Sequence, residues 1–302
     1  MTAIPGLHHV TAICSGPQDN VDFYTGTLGQ RLVKKTVNFD DPGTYHLYYG
    51  DRAGTPGTIM TFFPFVDAGP GRAGNGMASA VAYACDAAGL DAWMERLGLD
   101  AVSFDGPKER FGARVITLTD PDRLAIEIAE TADMAPGGFH SVTLRLADPE
   151  PTARLLTGIM GYEALGEETG PGGSRLRLRA PGGANGSVVD LLRDDAAGLG
   201  RQGAGSIHHV AFRARDAEEQ RGWQDRLRVA GFDVTPVIDR QYFTAIYFRE
   251  PGGVLFEIAT DPPGFAIDEP EEALGQNLML PERYEQARAR IERILPPLSV
   301  PA

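Results

Sequence analysis

The chain has 302 residues, 42% of them hydrophobic and 23% charged, with 28 basic against 41 acidic side chains and a net charge of −13. This length holds one large domain or two to three ordinary ones, and the acidic balance repels phosphate backbones and anionic membrane surfaces, so neither nucleic acid nor membrane is an expected partner. No apolar run approaches the roughly 20 residues that span a bilayer, MTAIPGLHHV lacks the features of a secretory signal, and Cys14 and Cys85 form no disulfide framework, so a cytoplasmic protein with two buried thiols is expected.

In chain order, the first strand is LHHVTAI, Leu7 to Ile13, where two of the six histidines stand side by side on an apolar run. VDFYTGTLGQRLV then spaces its apolar residues by three and four, as an amphipathic helix on a sheet requires. YHLYYGD and GTIMTFFPF follow as strands, and His46 in the first of them reads as a core or pocket-lining residue. MASAVAYACD opens a second copy of this pattern, continued by the helix GLDAWMERLGL and the strands of ARVITLTDPDRLAIEIAE. GFHSVTLRLAD opens a third, with PTARLLTGIMGY, SRLRLRA and GSVVDLLR. IHHVAFR, Ile207 to Arg213, opens a fourth, with EEQRGWQDRLRVAGF and TAIYFREPGGVLFEIAT. The turn signals DPD, PGG and EPGG suit hairpins.

The repeat places modules at 1-70, 71-132, 133-200 and 201-264. Residues 265-302 read as a loop and an amphipathic C-terminal helix rich in i,i+4 charge pairs, packed on the domain or on an oligomer interface, which leaves a homo-oligomer open. With His9, Ser79, His140 and His209 taken as equivalent, the matching last-strand residues are Thr61, Glu127, Asp190 and Glu257, at separations of 48 to 52 positions. One such unit curls its sheet only halfway, so two must pair to enclose a cup. The expected fold class is α+β: four modules in two paired, cup-shaped mixed sheets, plus a C-terminal helix.

Pairing the first module with the fourth gathers His9, His209 and Glu257, with neutral Thr61 in the remaining corner. Two imidazoles and one carboxylate are the facial triad of non-haem Fe(II) oxygenases. Pairing the third with the fourth gathers His140, His209, Glu257 and Asp190, also a workable metal site. Pairing the second with the third leaves Ser79, Glu127, His140 and Asp190, poor in nitrogen donors. Spacing alone leaves the first two pairings open. Adjacent strand residues point to opposite faces, so one of His8 and His9, and one of His208 and His209, can bind metal; alternation does not choose which.

Four βαβββ units with donors on first and last strands resemble the vicinal oxygen chelate superfamily, which includes glyoxalase I, bleomycin-resistance proteins and extradiol ring-cleaving dioxygenases. More narrowly, LHHVT, FYTGTLGQRLVKKTVNFDD, YHLYYGDRAGTPGTIMTFFP, GFHSVT, IHHVAF and DRQYFTAIYFREPGGVLFE resemble the hydroquinone ring-cleaving dioxygenases, in order and across nearly the whole chain. The resemblance implies that metal is bound by the first and fourth modules through the second histidine of each pair. The implied ligands are His9, His209 and Glu257, holding Fe(II), with Mn(II) suited to the same donors. Modules 1 and 4 would then form the active cup, and modules 2 and 3 a vestigial one containing His140.

The family's other site residues fall on His8, Thr11, Arg240 and Tyr247, although VIDRQYF is one residue short of the family pattern beside Arg240. The implied reaction is an extradiol-type ring cleavage that inserts O2 into hydroquinone-like or other aromatic diols. His8 with Tyr247 would manage the phenol proton, Arg240 would stabilise an oxygen-derived anion, and Thr11, on the strand face of His9, would line the cup. The alternative is a glyoxalase-like metal-dependent isomerase or lyase, which would want a second carboxylate where Thr61 stands. A metal-free binding protein would not retain His9, His209 and Glu257.

Overall fold

The computed structural model of the chain describes residues 3–170 and 172–300. In the first copy, β1 (Leu7–Cys14) leads into a short helix α1 (Pro17–Val21) and then β2 (Arg31–Asn38), β3 (Asp41–Gly50) and β4 (Ile59–Pro64). The second copy holds β5 (Met77–Cys85), α2 (Ala87–Leu99), β6 (Phe104–Arg110), β7 (Ala113–Thr119) and β8 (Ala125–Glu130). The third holds β9 (Phe139–Leu146), α3 (Glu150–Gly158), β10 (Glu163–Gly170), β11 (Gly173–Arg179) and β12 (Val188–Arg193). The fourth holds β13 (Ser206–Ala214), α4 (Ala217–Val229), β14 (Ile238–Asp239), β15 (Phe243–Arg249) and β16 (Leu255–Pro263).

Among the described residues these strands form two eight-stranded sheets, each curled into a half-barrel. One runs β14-β15-β16-β13-β1-β4-β3-β2 and the other β10-β11-β12-β9-β5-β8-β7-β6. The first copy is thus hydrogen-bonded to the fourth and the second to the third; the third does not share a sheet with the fourth. Within a copy the first and last strands are parallel neighbours, which only a crossover connection can produce. Between copies, β1 meets β13 and β5 meets β9 antiparallel.

The helices bury the outer faces of the sheets. In α4, Asp216 caps the first turn by accepting from the Glu219 N–H at 2.8 Å, while Trp223 and Leu227 face inward. Burying each of these large apolar side chains contributes about 2–3 kcal/mol. Gln220, also fully buried, donates to the carbonyls of Thr244 and Ile258 at 2.7 and 2.8 Å and so ties the helix to the sheet. One apolar core runs continuously through both half-barrels. Cys14 and Cys85 are free and buried, and no helix among the described residues is long and apolar enough to cross a membrane.

Three elements differ from the sequence reading. The first helix starts earlier and runs on as a π-helical turn, Asp22–Thr27; Gly29 at φ +67° ends it, and Arg31, Leu32 and Val33 enter β2. The edge strand β10, acidic and largely exposed, carries no apolar alternation that could announce it. The expected C-terminal helix is broken into α5 (Glu282–Glu285) and α6 (Arg288–Ile294), and Tyr284 of α5 donates its hydroxyl to the Phe39 carbonyl at 2.7 Å.

Candidate metal centre

Strand register gathers three donors. Across β1 and β13, Thr11 opposes His209 and His9 opposes Ala211, and Ala211 lies beside Glu257 of β16. His9, His209 and Glu257 therefore share one face of three adjacent strands. The Nε2 atoms of His209 and His9 lie 2.9 and 3.4 Å from Oε2 of Glu257, and 3.4 Å from each other. All three side chains are buried. Burial alone would push the Glu257 carboxyl up, but the His9 and His209 imidazoles hold it well below the usual carboxylate range. Burial pushes the His209 imidazole down, towards the neutral form that a metal ligand needs. Although both imidazoles face it, neither oxygen of the Glu257 carboxylate has a hydrogen-bond partner. An enclosed carboxylate faced by imidazoles is costly unless a cation compensates it, and these donors, all within 4.8 Å of one another, could hold a divalent ion.

The paired histidines result from β-bulges. Pairing runs from Leu7 with Phe212 to His9 with Ala211, and from Thr11 with His209 to Ala12 with Ile207, so His8 and His208 are each an extra, unpaired residue. The bulge brings side chains of neighbouring residues into contact, which a regular strand would hold apart. Nδ1 of His8 lies 2.9 Å from Nδ1 of His9, and Nδ1 of His208 lies 2.8 Å from Nδ1 of His209. If Nε2 of His9 and His209 is to face a cation, their Nδ1–H groups donate and the Nδ1 atoms of His8 and His208 accept. Burial, then the adjacent imidazole, lowers His8 to about 3 and His208 to about 4.

A cavity of about 280 Å³ opens over these groups, its wall including His46, Phe63, His208, Arg240, Phe243 and Tyr247. Tyr247 pairs with Glu257 across β15 and β16; burial, then the Glu257 charge, holds its phenol well above the ordinary value. Arg240 donates from Nε to the Tyr247 hydroxyl at 3.2 Å and from Nη1 to Asp40 Oδ2 at 2.9 Å, an ion pair between the first and fourth copies. The structure brings neither His8 nor Thr11 to this wall. His8 instead packs its ring 5.2 Å from that of Phe243, and the cavity-facing member of the bulge pair is His208. The Thr11 hydroxyl lies 2.8 Å from that of Thr61, which lies 2.9 Å from His46 Nε2; the Tyr48 hydroxyl lies 2.8 Å from His46 Nδ1. The fourth corner is thus a hydrogen-bonded chain with no carboxylate.

A family model of the Glyoxalase/Bleomycin resistance protein/Dioxygenase superfamily matches residues 6–128 and 138–258. The chain belongs to this superfamily. MhqO of Bacillus subtilis (strain 168), named as a ring-cleaving dioxygenase, is 47% identical over 309 residues, which cover 98% of this chain and 97% of the relative. The chlorohydroquinone/hydroquinone 1,2-dioxygenase of Sphingobium indicum is 34% identical over 315 residues, covering 97% and 96%. A crystal structure of a Bacillus subtilis protein named as a dioxygenase has a TM-score of 0.94 at 46% identity, covering 100% of this chain and 99% of that one.

The other half-barrel of this superfamily member corrects the alignment of the four copies. Its bulges leave Ser79 and His140 as the extra residues, and Asp190 lies beside Thr143 as Glu257 lies beside Ala211. Ser79 and His140 therefore correspond to His8 and His208, whereas Ala80 and Ser141 correspond to His9 and His209. Nδ1 of His140 contacts the Ser141 hydroxyl at 3.0 Å, repeating the histidine-to-neighbour contact without a second imidazole. The carboxylates here are occupied: Arg110 grips Glu127 at 2.7 and 2.8 Å, and Arg175 reaches Asp190 at 3.2 Å. Burial, then the Arg177 charge, lowers His140 to about 4.

Proposed function

We propose that the chain is a ring-cleaving dioxygenase that holds Fe(II) at His9, His209 and Glu257 and opens hydroquinone-like aromatic diols with O2. The observation that carries this reading is the enclosed Glu257 carboxylate, faced by two imidazoles whose Nε2 atoms lie within 3.4 Å of it at the wall of a cavity. The name of the hydroquinone dioxygenase relative supports the substrate class. Fe(II) bound there would supply a redox-active Lewis acid with open positions for a diol oxygen and O2, and Mn(II) suits the same donors.

The chain's own residues prepare the substrate. Phe63 and Phe243 offer aromatic faces to a planar ring. The Tyr247 hydroxyl, held protonated, accepts from Arg240 and keeps its own proton for a substrate oxygen. The Arg240 charge stabilises negative charge that develops beside it. Nε2–H of His208 is a second donor on the wall, in the tautomer set by its Nδ1 contact to His209. A para-diol has no adjacent hydroxyl-bearing carbons, so its ring can open only beside one of them, which makes the cleavage extradiol in type. The hydrogen-bonded Thr61 weighs against a glyoxalase-like isomerase, whose second carboxylate would occupy that corner.

The test is anaerobic. Purified protein is loaded with Fe(II) and mixed with hydroquinone, air is admitted, and oxygen uptake is followed with the ultraviolet absorbance of the product. Stoichiometric uptake with a new ring-opened chromophore is expected; no uptake with any para- or ortho-diol refutes the proposal.

A further inference from the structure

The turn between β2 and β3 places a carboxylate at the opening of the metal-centre cavity. Asp40 belongs to the cavity wall, yet its side chain is 73% exposed, so it stands at the rim. Its Oδ2 accepts from Nη1 of Arg240 at 2.9 Å, and the Arg240 side chain, only 20% exposed, lies deeper. The turn is held from two sides. The Asp40 N–H donates to Oδ1 of Asn38 at 3.0 Å. The Phe39 carbonyl accepts the Tyr284 hydroxyl at 2.7 Å, with the Arg283 guanidinium 5.5 Å from the centre of the Phe39 ring. The C-terminal segment therefore fixes the turn that carries Asp40.

Charge on this wall is sparse. Among the described residues that line it, Arg240 and Asp40 are the only Lys, Arg, Asp or Glu side chains besides the Glu257 donor. Burial pushes the imidazoles of His46 and His208 down, so neither adds a positive charge. Phe39, Phe63, Phe65 and Leu255 supply apolar surface. The single guanidinium is thus already matched by a carboxylate. An uncharged diol enters past this pair without opposing charge. A diol with an anionic ring substituent brings a second negative group to a guanidinium that already has one, and it must shed its hydration to do so.

We propose that Asp40 is a specificity-determining residue: held at the cavity opening and paired with Arg240, it excludes aromatic diols that carry an anionic ring substituent and leaves uncharged ones as the substrate class. This inference rests on the metal-centre cavity being the diol site. The exclusion is local, because Asp40→Asn alters the net charge of −13 by a single unit and leaves the long-range repulsion of anions almost unchanged.

The test uses two probes of like shape, 2,5-dihydroxybenzenesulfonate and the corresponding sulfonamide, with hydroquinone as reference. A sulfonate stays ionised at any working pH and is a poor ligand for iron, so its charge is read at the opening. Anaerobic calorimetric titration of the Fe(II)-loaded full chain measures binding without turnover. The unmodified chain should bind the sulfonamide at least about tenfold more tightly than the sulfonate, the size of one charge interaction at a partly exposed site. Asp40→Asn keeps a hydrogen-bond acceptor and removes the charge. It should bring the sulfonate to within about twofold of the sulfonamide, while hydroquinone binding changes by less than about threefold. Asp40→Glu, which restores the charge, should keep the two probes apart. Equal binding of both probes by the unmodified chain, a gap that survives Asp40→Asn, rejection of both probes on size, or no binding of hydroquinone overturns the proposal. Admitting air answers the separate question of ring cleavage: hydroquinone that binds without oxygen uptake would refute the dioxygenase reading and leave the exclusion by Asp40 standing.

Discussion

Arg177 holds Asp190 through two parallel hydrogen bonds, at 2.8 and 2.9 Å, and occupies the register position across from Asp190 that Tyr247 occupies across from Glu257. Two half-barrels of one ancestry in pattern thus treat a buried carboxylate oppositely. In one it is neutralised by guanidinium groups; in the other it is faced by two imidazoles. A divalent ion entering the second half-barrel would have to displace Arg110 and Arg177 and would find Ala80 and Ser141 where imidazoles are needed. His140→Ala should therefore leave the metal content at about one ion per chain, whereas Glu257→Gln should reduce it to about none. Elemental analysis after Fe(II) loading reads both, and adding Fe(II) should raise the melting temperature of the first variant but not of the second. Metal lost with His140→Ala would move the centre to the wrong half-barrel.

The contact between Arg240 and Tyr247 makes a kinetic prediction. Tyr247→Phe removes a proton donor while leaving the ring beside His209, at a centroid distance of 5.8 Å, in place. A loss of about a hundredfold in kcat is expected, with metal content unchanged. Asp40→Asn frees Arg240 from its partner across the cavity mouth and should cost less, mainly in KM. Equal effects on kcat from both changes would mean that Tyr247 only positions Arg240.

The repeat, the donor types and the cup were legible because they lie in contiguous, apolar strands such as LHHVTAI and IHHVAFR. The alignment of the copies was not, and the reason is physical. A bulge adds one residue to a strand without leaving a mark in hydrophobicity, and separations of 48 to 52 conceal a one-position error at Ser79 and His140. The same bulges overturn strict alternation at His8 and His208, and of the two it is His208 that reaches the cavity wall. The ion pair of Asp40 with Arg240 spans 200 positions and has no local pattern at all.

Asp120 links stability to pH. It lies in the turn between β7 and β8, where its Oδ1 accepts from the N–H groups of Asp122 and Leu124 and its Oδ2 from the Tyr24 hydroxyl at 3.3 Å. Burial, reinforced by the neighbouring Asp122 charge, raises its carboxyl from 3.8 to about 6. The folded state therefore binds this proton more tightly than the unfolded chain. Its contribution is fully present below pH 3.8 and is lost as pH rises through about 6. Asp120→Asn, which does not ionise, should gain about 2–3 kcal/mol of stability relative to the unmodified chain between pH 4 and pH 7. Urea titrations at pH 4, 5.5 and 7 measure that difference; one that stays constant with pH would show that Asp120 titrates normally.

Lys34 carries the last prediction. It is fully buried on β2, and its ammonium lies 2.6 Å from Asp268 and 2.6 Å from Glu269, both in the segment that follows β16. Asp268 also accepts from Gln241 and from the Tyr242 hydroxyl, so one buried cation holds the chain after β16 and the turn that presents Arg240. Lys34→Met keeps the volume and removes the charge, leaving Glu269 enclosed without a cation. A loss of about 3–5 kcal/mol is expected, because breaking one side of a buried pair costs more than replacing both. Adding Glu269→Gln should restore part of that stability, since the amide needs no counter-charge. It should restore less of the activity, since Asp268 would still lack its cation beside the turn of Arg240. Thermal unfolding separates the two effects: a double variant no more stable than Lys34→Met would show that the loss comes from packing around the Lys34 stem and not from the stranded carboxylate.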